Sequence, residues 1–225
     1  MSAESRNARI AGLTYLVTIG TGVYAEAVVR GGLFVRGDAG ATTQAIFAAV
    51  PAFRLGLVAD LAMLASYIVV TILLDAIFRR ASPILSATAA GFSLIGIAVL
   101  ACNTVFLAMV LRLQQGVPAL AHSSLAETVY LLMRVHGDGY KISLVFFGGY
   151  CLLLGWMIWR GRILPRAVGL AVAAAGLCNL INSLAWLGMP EWAAKLPPYF
   201  TLPTLLGELA LAVWLALFGI REAKG

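Results

Sequence analysis

Charge is scarce in this chain. Only 12% of its 225 residues are Asp, Glu, Lys or Arg, about half the share of a soluble domain, which excludes an ordinary water-soluble globule. A long polar stretch is missing as well. No segment of about 50 residues escapes the apolar runs, so no soluble domain fits beside them and a single domain over 1–225 is expected. Histidine occurs twice, as His122 and His136, without H-E-x-x-H or paired spacing, so no metal site and no bis-histidine haem is expected. No G-x-S-x-G stretch is present, and His136-Gly137-Asp138 lacks the preceding glycine of the G-x-G-D pattern of intramembrane aspartyl proteases. Cys102, Cys151 and Cys178 fall singly in different apolar runs, without C-x-x-C spacing, and read as small core residues. No internal repeat stands out.

What fills the chain instead is hydrophobic sequence, 61% of it, in runs long enough to cross a bilayer, which takes about 20 residues at 1.5 Å each. Six such runs lie at about 10–29, 53–78, 84–111, 139–159, 165–187 and 201–220. The expected fold is therefore all-α, a polytopic integral membrane bundle of six transmembrane helices. Residues 31–50 read as a connection with a short helix near Ala39–Ala49, and the stretch from Leu125 to Val135 as a surface helix or an extension of the fourth span. The first run is read as a span and not a cleaved secretory signal, because it exceeds the usual h-region and similar runs follow. Gly20-Thr21-Gly22-Val23-Tyr24-Ala25 fits a dinucleotide pattern, but it lies inside a span and outside any strand–helix unit, so it carries no cofactor. No cofactor is expected at all.

Polar residues inside these runs are the informative exceptions, since an ionised group in a span costs about 2.5 kcal/mol or more unless partnered or wet. Threading six alternating spans places Glu26, Arg54, Asp60, Asn103, His136, Tyr140, Asn182 and Glu208 in one half of the bilayer, with Asp138, Lys141 and Asn179 nearby. These eight are the candidate ligand-binding residues. Arg54 and Asp60 are six positions apart, about 120° around a helix, and so are poorly placed to pair with each other. Arg54 is expected to pair with Glu208, leaving Asp60 to share Asn103 or His136 or to remain protonated, beside a cavity. Asp75 in the opposite half is matched by Arg79 one turn on. Gly91, Gly96, Gly169 and Gly176 are expected to face neighbouring helices, because small residues let backbones approach.

Several stretches together resemble the bacterial membrane family known as domain of unknown function 4386. They are Gly12-Leu13-Thr14-Tyr15-Leu16, Gly37-Asp38-Ala39-Gly40-Ala41-Thr42, Phe53-Arg54-Leu55-Gly56 with Asp60-Leu61, and His136 with Gly139-Tyr140. Further on come Phe146-Phe147-Gly148, Leu154-Gly155-Trp156, Leu164-Pro165-Arg166, and Gly207-Glu208-Leu209 with Trp214-Leu215. The resemblance covers nearly the whole chain and implies a six-helix integral membrane protein. It brings no reaction, ligand or catalytic residue. Asn182 stands where an aspartate would be expected in that pattern.

The net charge of +6 is spread over the ends of apolar runs and so reads as a topology signal, not a nucleic-acid surface. Of the sixteen Lys and Arg, nine fall on the side of the N-terminus and seven on the other. Both termini are thus expected inside, and the resemblance implies a bacterial cytoplasmic membrane. The expected partners are the lipid bilayer and a small lipophilic or cationic ligand held by the acidic cluster in the outer leaflet. Two other readings stand beside this one: a membrane enzyme using a buried carboxyl as general acid or base on a lipid or isoprenoid substrate, and a structural subunit with no ligand. The sequence leans away from an enzyme without deciding it, and leaves an oligomer open.

Overall fold

The computed structural model describes residues 3–116, 124–161 and 163–220, and within them the chain is helical with no strand. His122 lies outside the described residues. Helix α1 starts as Ala3–Val23, continues as a π-helical segment over Tyr24–Arg30 and ends in the α-helical turn Gly31–Leu33. Five more long helices or helical runs follow it. A short α2, Ala39–Ala48, precedes α3, Val50–Phe78, and α4, Pro83–Gln114. Helix α5 spans Leu125–Gly161, α6 Arg166–Gly188, and α7 Leu202–Phe218, the last introduced by turns at Pro190–Ala193 and Pro198–Thr201. Five helices are long and apolar enough to cross a membrane, and α7 is a shorter apolar one. The fold is a helical membrane bundle of about six helices.

The helix starts follow local chemistry. Prolines at the first turns of α3, α4 and α7 sit where a missing N–H costs nothing. Asp38 caps α2 by accepting the Ala41 N–H at 2.8 Å, just after Gly37 has turned the chain at φ +80°. Tyr130 of α5 then fastens this turn, its hydroxyl accepting the Gly37 N–H at 2.8 Å while its ring stacks on Phe34. The stretch from Leu125 to Val135 is the first three turns of α5, not a surface helix, so α5 runs unbroken for 37 residues, about 55 Å.

The long helices pack as a ring. Each touches its neighbour in the order α1, α3, α4, α5, α6, α7, and α7 closes back on α1. Glycine sets the closest contacts. A Cβ on Gly12 would fall 2.2 Å from the backbone of Ala216 on α7, and one on Gly207 would fall 2.4 Å from the Ala171 carbonyl on α6. Between α5 and α6 two crossings repeat seven residues apart: Gly148 meets Gly176, and Gly155 meets Gly169, backbone on backbone. Gly96 faces the Phe147 ring. Gly91 does not follow the expectation, for nothing lies within 4 Å of where its side chain would be.

Two apolar cores result. The larger fills the middle and the end nearer the N-terminus and contains Tyr15, Tyr67, Phe147, Tyr150 and Leu211. The smaller, around Ile46, Phe53, Leu107, Val129 and Met133, lies under α2 at the far end. A band of polar side chains separates them.

Candidate functional site

The polar band is centred on an arginine that lies just past the first apolar run of the sequence. Because α1 continues through its π-helical segment, Arg30 lies inside the bundle, 6% exposed, instead of beyond the first span. The wide winding shows in the Gly31 N–H, which reaches back five residues to the Glu26 carbonyl. Arg30 then forks toward Asp60 on α3, with Nη1 donating to Oδ2 at 2.5 Å and Nη2 to Oδ1 at 3.0 Å. Its Nε donates to Glu26 Oε2 at 2.7 Å. Bidentate geometry of this kind is the strong form of a buried ion pair. Gly56 makes the approach feasible, since the Val29 side chain fills the space where a Cβ would sit, 2.9 Å away.

The expected Arg54–Glu208 pair does not form. Arg54 is exposed on the outer surface of α3 and has no carboxylate partner among the described residues. Its six-residue offset from the inward-facing Asp60 turns it away from the ring's interior, where Glu208 lies. The signal for the true partner was present: Glu26 and Arg30 are four apart, the spacing of a helical ion pair.

Next to this triad is a second buried pair. Asn103 Nδ2 donates to the His136 carbonyl at 2.8 Å and lies 3.0 Å from His136 Nδ1. Gly139 leaves room for it, because a Cβ there would collide with the Asn103 amide at 2.2 Å. His136 Nε2 is buried without a hydrogen-bond partner. The ring lies within electrostatic range of Arg30, Glu26 and Asp60, so the two pairs form one polar layer. Asp60 therefore turns to Arg30, not to Asn103 or His136 as expected.

Glu208 lies deeper. Six residues into the 17-residue α7, it sits within about 3 Å of that helix's midpoint. It is half-buried, with Cys151 Sγ 3.8 Å from Oε1 and the Tyr15 hydroxyl beside it. Tyr15 in turn shares a 3.3 Å hydrogen bond with Tyr67. No Lys, Arg or His reaches Glu208 within ion-pair distance among the described residues. Tyr140 stands between the two groups, within electrostatic range of Glu26, Asp60, Arg30 and Glu208.

The fifth span completes the far wall. Asn179 Oδ1 accepts from Thr204 Oγ1 at 3.0 Å, which ties α6 to the face of α7 that carries Glu208 one turn later. Asn179 Nδ2 and Ser183 Oγ are buried without partners. Asn182, the candidate from this span, is only half-buried and the structure brings it to none of the other seven. Lys141 is occupied elsewhere, 3.6 Å from Asp138 and over the Trp186 ring. Residues 137–141 of α5 are consecutive around the helix and all half-buried.

Asp60 lines neither of the two best-defined cavities among the described residues. Both are at the end nearer the N-terminus: a void of about 10 Å³ bounded by Thr71, Asp75, Ser86 and Tyr150, and an open depression at Arg79 and Arg80. Asp75 and Arg79 do pair one turn apart, and Ser86 also donates to Asp75 at 2.7 Å.

The motif residues thus divide by role. Gly12, Gly148, Gly155 and Gly207 bring backbones together, while Tyr15, Asp60, His136, Tyr140 and Glu208 populate the polar interior. No curated protein and no solved structure matches the chain. The model of the family described as domain of unknown function (DUF4386) matches residues 10–219, and the chain belongs to that family.

Proposed function

We propose that the protein is a multi-pass component of a bacterial cytoplasmic membrane that binds a small lipophilic cation in the far half of its helix ring. Glu208 supplies the charge. Both termini face the cytoplasm in this reading, and the family resemblance supports the bacterial setting. The charge bias supports the orientation: with Arg30 and Lys141 drawn into the bundle, five of the seven far-side basic residues remain to compete with the nine opposite.

The observation that carries the proposal is the uncompensated state of Glu208. Among the described residues, the single buried guanidinium is already taken by two carboxylates, and Lys141 is committed to Asp138 and Trp186. An ionised carboxylate near the middle of a bilayer without a cation costs about 3 kcal/mol, so the group takes up a proton or a cation. The neighbours favour an organic cation. Tyr140, half-buried and within electrostatic range of Glu208, adds an aromatic ring, and such rings attract cations most strongly where water is excluded.

Tetraphenylphosphonium is a suitable probe, measured by equilibrium dialysis against the protein in lipid nanodiscs. Saturable binding is expected for the wild type, with Glu208→Gln weaker by about tenfold or more, the scale of a desolvated cation–carboxylate contact. Arg54→Gln leaves binding unchanged. Equal binding by wild type and Glu208→Gln overturns the assignment of the charge, and no saturable binding at all overturns the cation.

A further inference from the structure

We propose that the edge of the bundle where α5 hands over to α6 is a binding site for the phosphate of an anionic phospholipid, held by Arg160 and Arg166. The site is independent of Glu208 and lies at the opposite end of the ring. Its first feature is rigidity. The connection between the helices is short, Leu164 within it is 1% exposed, and the two glycine crossings lock the helices that it joins.

The second feature is how the arginines are held. Arg160 lies over the Trp156 ring at 4.9 Å and Arg166 over Trp159 at 5.2 Å. Neither has a carboxylate partner among the described residues, whereas Arg79 and Arg80 at the same end are neutralised by Asp75 and Glu4. A guanidinium held over an indole keeps N–H donors free, and that fork matches phosphate oxygens. Two such groups flank one short connection.

The third feature selects a lipid over a soluble anion. Trp156 is one turn deeper than Arg160 and 49% exposed, and Leu170 is one turn deeper than Arg166 and 55% exposed. Each cation therefore has open apolar surface beneath it, where an acyl chain would lie while its headgroup meets the arginines. Trp159, 37% exposed, adds an amphipathic ring at the level where indoles gather in membranes.

Native mass spectrometry tests the site on the whole purified chain, offered equal phosphatidylglycerol and phosphatidylcholine in detergent. Preferential retention of phosphatidylglycerol is expected, falling by about tenfold in the Arg160→Gln, Arg166→Gln double variant, as two arginines at a membrane surface warrant. Arg79→Gln with Arg80→Gln keeps the preference. Should the first double variant fail to fold, Arg160→Lys with Arg166→Lys retains the charge but loses the fork, and its preference falls part of the way. Equal retention of both lipids by the wild type overturns the proposal, as does an undiminished preference in the variants. Displacement of phosphatidylglycerol by millimolar inorganic phosphate shows a soluble-anion site and overturns the lipid.

Discussion

At the scale of single residues, the sequence reveals which side chains need partners more readily than which partners they find. Asp60, Asn103 and His136 stand out because a polar group in a span must be satisfied, and all three are buried and bonded. Arg30 was harder to see. Its place inside the bundle depends on the π-helical stretch of α1, and the winding of one segment fixes the direction of every residue beyond it. The energetic consequence distinguishes it from Arg54. Arg30→Gln strands a buried Asp60 and is expected to destabilise the protein by about 3–5 kcal/mol, whereas Arg54→Gln changes stability by less than about 0.5 kcal/mol. Thermal unfolding in detergent compares them. Adding Asp60→Asn to Arg30→Gln should restore most of the loss, because the stranded charge is then gone; a double variant as unstable as the single one would show that Arg30 contributes by packing alone.

At the scale of elements, the long helices were legible from hydropathy, but the length of α5 was not. Outside the apolar part of the span, its first three turns have the polar and apolar alternation of a surface helix, and only the contacts of Val129, Leu132 and Met133 with Ile46 and Leu107 show that they continue the span upward. Close approach between helices was legible from glycine where two glycines recur seven apart on facing helices, as at Gly148 and Gly155 against Gly169 and Gly176. Composition alone misled at Gly91, which is small yet meets nothing. The difference can be measured. Gly176→Leu drives a side chain into the Gly148 carbonyl, 2.7 Å from where its Cβ would be, and overpacking of that kind typically costs about 1–3 kcal/mol or more. Gly91→Leu points into open space and should leave the folded yield and the melting temperature as they are. A similar loss in both variants would overturn contact as the cause, because Gly→Leu raises helix propensity at either position.

At the scale of the whole molecule, ring closure ties the first helix to the last. Gly12 lies against the backbone of α7, and Tyr15 on the same helix stands beside Glu208, so the interior polar site depends on both ends of the chain returning to one another. Six alternating crossings accomplish this only with an even count, which brings the N-terminal start of α1 and the C-terminal end of α7 to the same side. Gly219 near that end packs on Ser5 and Arg9, as the count requires. The connection after α4 then belongs to the other side. Reporter fusions at Gly116 and Gly225 should therefore report opposite compartments, with Gly225 cytoplasmic in the proposed orientation. If both fusions report one compartment, a helix taken as crossing does not cross, and the shorter α7 is the first suspect. If they differ but Gly225 is periplasmic, the ring stands and the whole polar layer moves to the inner leaflet, where Glu208 would receive its cation from the cytoplasm.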